Sequence, residues 1–281
     1  MAAPDDQPHR LRDLVRVPFK KGRLLWTDDP GEGGLIANQY FMSQLDAKLT
    51  RRDGTTRNYD LGSGLVTNVG VMAMAYDWNW ATNSASLNLS TLALANNHAT
   101  GTGVTGAATT DIACQTLASP TTTTAVAGAQ SVTPVANAWT YKTVATINYT
   151  TTLAITEWGL HSFITLTAAT GSPFTATSAT SGTATATPFT ASAAAQRGQQ
   201  QMIVVPATTT VFGLILSNTT SVLTIPAWYT VAAGTAGSTP GATEVYALKP
   251  VLWDHKVFSA INVNNGDSIQ FTYSLLINSG G

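Results

Sequence analysis

Three features of this 281-residue chain predict an all-β fold: a sandwich or jelly-roll-like domain with an extended N-terminal arm and one short amphipathic helix. From Leu61 onward, runs of Thr, Val and aromatic residues are broken by Gly, Pro and Asn, the composition of short strands and their turns. Near the C-terminus the apolar residues Ile269, Phe271, Tyr273, Leu275 and Ile277 fall on every second position, the period of a half-buried strand. Charge is uneven: 19 of the 29 Asp, Glu, Lys and Arg lie in residues 1–60. The expected organisation is therefore an N-terminal arm and helix over 1–60 and a β body over 61–281, with a candidate division into two subdomains near 125–140.

Residues 1–34 combine Pro4, Pro8, Pro18 and Pro30 with charges of both signs and end in Asp28-Asp29-Pro30-Gly31-Glu32-Gly33-Gly34, so they read as an arm rather than an autonomous fold. The acidic turn lacks the alternating ligands and closing Glu of a Ca²⁺ loop. Apolar residues inside the arm suit ordering on a partner, and Arg12, Arg16, Phe19, Arg23 and Trp26 are candidate particle-attachment residues. Over residues 35–53, Ile36, Tyr40, Phe41, Leu45 and Leu49 recur at spacings of three to five, with Arg51 and Arg52 in a last turn before Gly54; this predicts a helix.

In the body the expected strands are Leu65–Ala75, Ser86–Ala95, Thr143–Tyr149, Leu153–His161, Met202–Val205, Val211–Leu216, Ser221–Tyr229, Val245–Trp253, Val257–Val263 and Ile269–Ile277, the second of which also reads as a short helix. The low-complexity stretches Ala99–Thr124 and Thr167–Ala195 read as long loops or projecting hairpins suited to contacts between subunits. In the second, Pro173-Phe174-Thr175-Ala176 is nearly restated at Pro188-Phe189-Thr190-Ala191, too few copies for a solenoid. Between the last two strands, Asn264, Asn265 and Gly266 form a structural turn. A three-residue loop with Gly266 left-handed would pair Ile261 with Ile269, Ser259 with Phe271 and Val257 with Tyr273, collecting the apolar residues on one face of a hairpin.

The segment DHKVFSAINVNNGDSIQFTYSLLI, with the upstream Ile155-Thr156-Glu157-Trp158-Gly159-Leu160, resembles a family of tailed-bacteriophage virion structural proteins. In that family a "D..VFS.INV..GDSI.FTY.L.I" run closes a β domain and an "ITE.GL" strand precedes it. The resemblance covers about 35 residues, and Trp158 and His161 depart from the pattern. It implies a phage virion component and leaves open which part of the particle; a non-enzymatic capsid decoration or head-fibre type protein is the favoured reading, and the charge asymmetry points to attachment through the N-terminal arm. The implied localisation is the virion, with the host cytoplasm before assembly. The implied partners are further copies of the chain, as a homo-oligomer and a trimer by analogy with phage surface proteins, and the major capsid protein or other virion proteins. The alternative is a tail-associated structural or receptor-binding protein contacting a host surface glycan.

Composition narrows the remaining classes. Only 10% of residues are charged, against roughly 25% in an average globular protein, and the formal net charge is −1, so neither nucleic acid nor an anionic membrane is an expected partner. The apolar runs fall short of the ~20 residues that cross a bilayer as a helix, and residues 1–13 lack the apolar core of a secretory signal. The three glycosylation sequons, at Asn88, Asn148 and Asn218, read as accidents of a Thr-rich sequence. With one cysteine, Cys114, no disulfide framework forms, and it reads as a small buried hydrophobe.

Titratable groups are sparse. Between Trp78 and Thr243 only Asp111, Lys142, Glu157 and Arg197 are charged. Glu157 and His161, four apart on one strand, share a face and form the one candidate acid/base pair. Their partners would have to come from Asp111, Asp254, His255 or Asp267. A lone Glu on a β face reads as structural, so neither catalysis nor a cofactor is expected. His9, His98, His161 and His255 lack short ligand spacings, so no metal is expected either. Tyr76, Trp78 and Trp80 alternate onto one face and are the candidate interface or glycan contact, against the plainer reading of core packing.

Overall fold

The computed structural model describes residues 40–71, 95–118, 125–135, 138–162, 169–184, 201–205, 211–215, 217–225, 227–230 and 236–278. Among them the chain is all-β and sandwich-like, with one helical turn at 68–71. A first sheet has the order β2-β1-β18-β7-β6, built from β1 (Tyr40–Thr50), β2 (Thr56–Gly62), β6 (Ala129–Val135), β7 (Ala138–Asn148) and β18 (Ser268–Asn278). A second has the order β3-β17-β8-β4-β5, from β3 (Leu65–Val66), β4 (Asn97–Gly101), β5 (Val126–Ala127), β8 (Leu153–His161) and β17 (Leu252–Val263). All strand pairs are antiparallel.

Their inner faces share one core. Leu45, Ala47 and Leu49 of β1, Ile147 of β7 and Ile269, Phe271 and Tyr273 of β18 meet Trp158 and Leu160 of β8 and Ile261 and Val263 of β17. Trp158 stacks on Tyr273 across the sandwich at 5.5 Å. Between β8 and β17 the chain builds a third, eight-stranded sheet, order β13-β14-β10-β9-β16-β11-β12-β15. Its strands are β9 (Ala169–Ser178), β10 (Ser181–Ala184), β11 (Gln201–Val205), β12 (Val211–Leu214), β13 (Ser217–Asn218), β14 (Val222–Thr224), β15 (Trp228–Thr230) and β16 (Glu244–Pro250). It has its own core around Phe174, Ile203, Ile225, Trp228 and Tyr246. Period-2 alternation on β12 serves both cores: Val211 and Ile215 face this one, Phe212 and Leu214 the sandwich core.

Several expectations are corrected. The helix expected over 35–53 is β1 over its described residues, hydrogen-bonded along its whole length to β18 and on its other side to β2. Leu45, Ala47 and Leu49 are buried while Asp46 and Lys48 alternate outward, a period of two that the wider 3–5 spacing obscured. Two partner strands supply the ladder, and tertiary pairing overrides a weak local preference. Gly54 follows a strand rather than a helix; at φ 85° it turns β1 into β2, and the expected boundary at residue 60 falls inside β2. The strand expected at Leu65–Ala75 stops at Val66, where the 68–71 turn begins, its start capped by Thr67 Oγ1 accepting from the Gly70 N–H. Ser221–Tyr229 is divided into β14 and β15, and Val245–Trp253 is interrupted after Pro250.

The closing hairpin is also corrected. Gly266 is left-handed, at φ 90°, and the Asp267 N–H donates to the Asn264 carbonyl. Yet β17 and β18 do not pair: β17 lies between β8 and β3, and β18 between β1 and β7. The turn is an arch linking opposite sheets, so Ile261 and Val263 meet Ile269 and Phe271 face to face in the core rather than side by side. Either arrangement buries Ile261, Val263, Ile269, Phe271 and Tyr273, which is why alternation did not distinguish them, but Ser259 is exposed past the bulge between Val257 and Ile261.

Of the long loops, residues 169–184 form the β9–β10 hairpin, with Phe174 buried in the third sheet's core. The second Pro-Phe-Thr-Ala copy lies outside the described residues, as do positions 86–94 of the second expected strand.

Candidate functional site

Strand β8 is covered on both faces. Its even positions, Trp158 and Leu160, enter the sandwich core, while Glu157, Gly159 and His161 point to the other side of the second sheet, where residues 102–118 fold over them. That loop returns alongside β4 through a Gly101–Leu117 bridge and the Thr102–Thr116 and Ala118–Thr100 backbone bonds. A Thr/Ala/Gly-rich segment has little apolar surface with which to order itself. It is held instead by Glu157, whose carboxylate accepts the backbone N–H groups of Gly103 (3.2 Å), Gln115 and Thr116 (3.1 Å). Gly101 must lack a side chain for this approach, since a Cβ there would lie 2.2 Å from Glu157 Oε2.

Strand β17 pairs with β8 so that His255 sits opposite Gly159, on the same covered face. Its ring nitrogens both meet carboxylates, Nε2 with Glu157 Oε1 and Nδ1 with Asp111 Oδ2, each at 2.7 Å. Two acceptors require two donors, so the ring is an imidazolium bridging two carboxylates. Burial works against its charge, but the hydrogen bonds to Glu157 and Asp111 outweigh it and raise His255 above its ordinary value. Burial likewise opposes the Glu157 charge, and His255 with the backbone donors holds that carboxyl below its usual range. The His255 and Glu157 side chains are fully buried, and only Asp111 reaches solvent.

Beside them, Cys114 lies 3.9 Å from His161 Nε2 through its Sγ. Burial, then the Glu157 and Asp111 charges, push the thiol well up. His161 is pushed down to about 4, chiefly by burial, and is neutral. A thiolate, a carboxylate oxygen and an imidazole nitrogen could bind a cation here, for the ligand atoms of Cys114, Glu157 and His255 all lie within 4.8 Å of one another.

On the inner face a second buried polar set spans the two sheets. Trp158 Nε1 donates to His98 Nδ1 at 3.2 Å, which leaves the proton on Nε2, 3.1 Å from Thr143 Oγ1. Tyr273 OH donates to Asp254 Oδ2 at 3.1 Å, and burial raises the Asp254 carboxyl to about 6. Thr100 and Tyr149 share a hydrogen bond at 3.2 Å.

Glu157 and His161 therefore share a face, as their spacing predicted, but do not bond to each other; His255 is the partner of Glu157. Asp111 and His255 converge on Glu157, whereas Asp254 faces the opposite side of the sheet and Asp267 closes the β17–β18 turn. Cys114 is buried as expected, but among polar groups. The arm residues Arg12, Arg16, Phe19, Arg23 and Trp26 and the aromatics Tyr76, Trp78 and Trp80 lie outside the described residues. No family model, curated protein or solved structure matches this chain.

Proposed function

We propose that the chain is a non-enzymatic structural component of a phage virion, a capsid decoration or head-fibre type surface protein attached through its N-terminal arm. The observation that carries this reading is that the two stretches resembling virion proteins, nearly a hundred residues apart, are paired strands. ITEWGL lies in β8 and DHKVFSAINV in β17, and their backbone ladder is joined by the Glu157–His255 hydrogen bond at the base of loop 102–118. The pairing makes the two stretches parts of one structural unit, which supports reading them together. The donors and acceptors of Glu157, His255 and Asp111 are spent on each other and on backbone, which suits cohesion better than turnover. A homo-oligomer fits the exposed apolar residues Val132 and Trp139, which cross-strand pairing with Tyr141 and Pro134 places on one face of β6 and β7.

Mass spectrometry of gradient-purified particles should find the chain at fixed stoichiometry, and a chain lacking residues 1–34 should fold yet fail to join them. Absence from purified particles removes the reading; full occupancy by the truncated chain removes the arm as anchor and leaves the rest standing.

One observation favours the alternative of a receptor- or carbohydrate-binding protein. A cleft of about 610 Å³ between β2 and β17 is lined by Arg51, Arg57, Tyr59, Lys256, Phe258 and Ser259, with the Arg57 guanidinium 4.9 Å above the Tyr59 ring. With Asp60 also in the lining, aromatic faces beside charges of both signs suit a polar saccharide. Glycan-array binding lost in both Arg57→Ala and Tyr59→Ala would favour this second reading over the first.

A further inference from the structure

We propose that Cys114, Glu157 and His255 form a structural binding site for a divalent transition metal of the zinc type, with Asp111 orienting His255. The inference stands independently of the virion reading. The chain's single cysteine, two of its four histidines and two of the four charged residues between Trp78 and Thr243 meet beneath loop 102–118. They arrive from three separate segments, the loop, β8 and β17. Short hydrogen bonds account for Glu157, His255 and Asp111, whereas the Cys114 thiol has only the long 3.9 Å contact with His161 Nε2. The thiol takes no part in the Asp111–His255–Glu157 bridge, yet its sulfur is kept within 4.8 Å of both ligand atoms. Gly159 maintains that approach, since a Cβ there would lie 2.6 Å from Cys114 Sγ.

A thiolate, a carboxylate oxygen and an imidazole nitrogen are together a zinc donor set, while the soft sulfur disfavours Mg²⁺ and Ca²⁺. His255 Nδ1–H bonded to Asp111 Oδ2 at 2.7 Å is the carboxylate–imidazole arrangement that fixes a metal-binding histidine's tautomer. His161 Nε2, 3.9 Å from Sγ, is the adjacent further donor. The bridge with protonated His255 is the metal-free form. Zinc binding would replace two protons, one from the Cys114 thiol and one from His255 Nε2, with the Nδ1–H to Asp111 retained and no redox change. A closed site of this kind would clamp the loop to β8 and β17.

The test is titration of the full-length, chelator-stripped chain with ZnCl₂, followed by calorimetry in two buffers of different ionisation enthalpy and by thermal unfolding. One Zn²⁺ per chain, release of about two protons and a raised Tm are expected, with no response to MgCl₂ or CaCl₂. Cys114→Ser should abolish the response, and Asp111→Asn should weaken binding by about ten- to a hundredfold. Cys114→Ser leaves the hydrogen-bonded bridge of Asp111, His255 and Glu157 in place, so its loss of response reads binding rather than folding. Absence of saturable binding at one equivalent overturns the proposal, as does undiminished binding by a folded Cys114→Ser chain.

Discussion

At the scale of single residues, the polar contacts with no substitute are the ones that should be felt most. Glu157 is a buried carboxylate with four hydrogen-bond donors, among them an imidazolium. Replacing it with Gln leaves His255 charged beside one carboxylate and swaps an acceptor for a donor. A loss of about 3 kcal/mol or more is expected, the cost of breaking a buried pair by removing one partner. Urea unfolding of metal-free Glu157→Gln checks this, and a shift below about 1 kcal/mol, the net value of one ordinary hydrogen bond, would mean the bridge is not the loop's anchor. The variant is thus a poor probe for catalysis, since lost activity would follow from lost loop packing. At Gly266 the left-handed backbone already disfavours a side chain, and a Cβ would come within 3.1 Å of the Arg52 side chain. Gly266→Val should cost about 1–3 kcal/mol and lower the Tm; an unchanged Tm would remove the strained-turn argument.

At the scale of elements, β1 and the β17–β18 arch carry the architecture. Strand β1 holds the second place in its sheet, between β2 and β18, and contributes three core side chains. Asp267 ties the two regions together: its carboxylate accepts from Arg51, from the Arg52 N–H and from the Asn264 N–H. Removal of residues 1–34 should therefore leave the cooperative transition of the body in place. Removal through Asp53 should abolish it, because β18 would lose its partner and the core Leu45, Ala47 and Leu49. Circular dichroism melts of the two truncations distinguish these outcomes; a cooperative melt in the longer deletion would show β1 to be dispensable.

At the scale of the whole molecule, the buried histidines make stability depend on acid. His98 is pushed down to about 3 by burial and then by the charge of His161, and its Nδ1 is occupied as acceptor from Trp158. The sign follows from its depressed value: the unfolded chain binds a proton near the ordinary His pKa of about 6.5, and the folded chain does not until pH approaches 3. Its stability contribution is full above about pH 6.5 and lost as pH falls, at roughly 1.4 kcal/mol per pH unit. Between pH 7 and 4 this loss is opposed in part by Asp254, whose carboxyl, raised to about 6, takes up its proton first in the folded chain; urea midpoints should still fall, and His98→Asn should flatten that limb. An equally steep limb in the variant would assign it to other groups. The oligomer is tested at the same scale: light scattering should exceed the 29.4 kDa of one chain at micromolar concentration, and Trp139→Lys should reduce it. A mass of one chain for the unaltered protein would remove the homo-oligomer.

The amino-acid sequence by itself determined the all-β class, the strand character of Leu153–His161 and Ile269–Ile277 and the left-handed turn at Gly266, because these depend on local periodicity and backbone sterics. It also marked Asp111 and His255 among the few groups able to reach Glu157, because charge is so scarce in the body. Only the tertiary structure decided that β1 is a strand, since the ladders that make it one belong to residues more than two hundred positions away in β18 as well as to its neighbour β2. Long-range pairing alone also decided that β17 and β18 part into opposite sheets. The site was illegible for the same reason. His255 has no partner nearby in the chain, and no spacing rule joins position 255 to 157, 111 and 114. They meet because β17 pairs with β8 in one particular register and loop 102–118 closes on the buried carboxylate, and both are consequences of burial that appear only once the sheets exist.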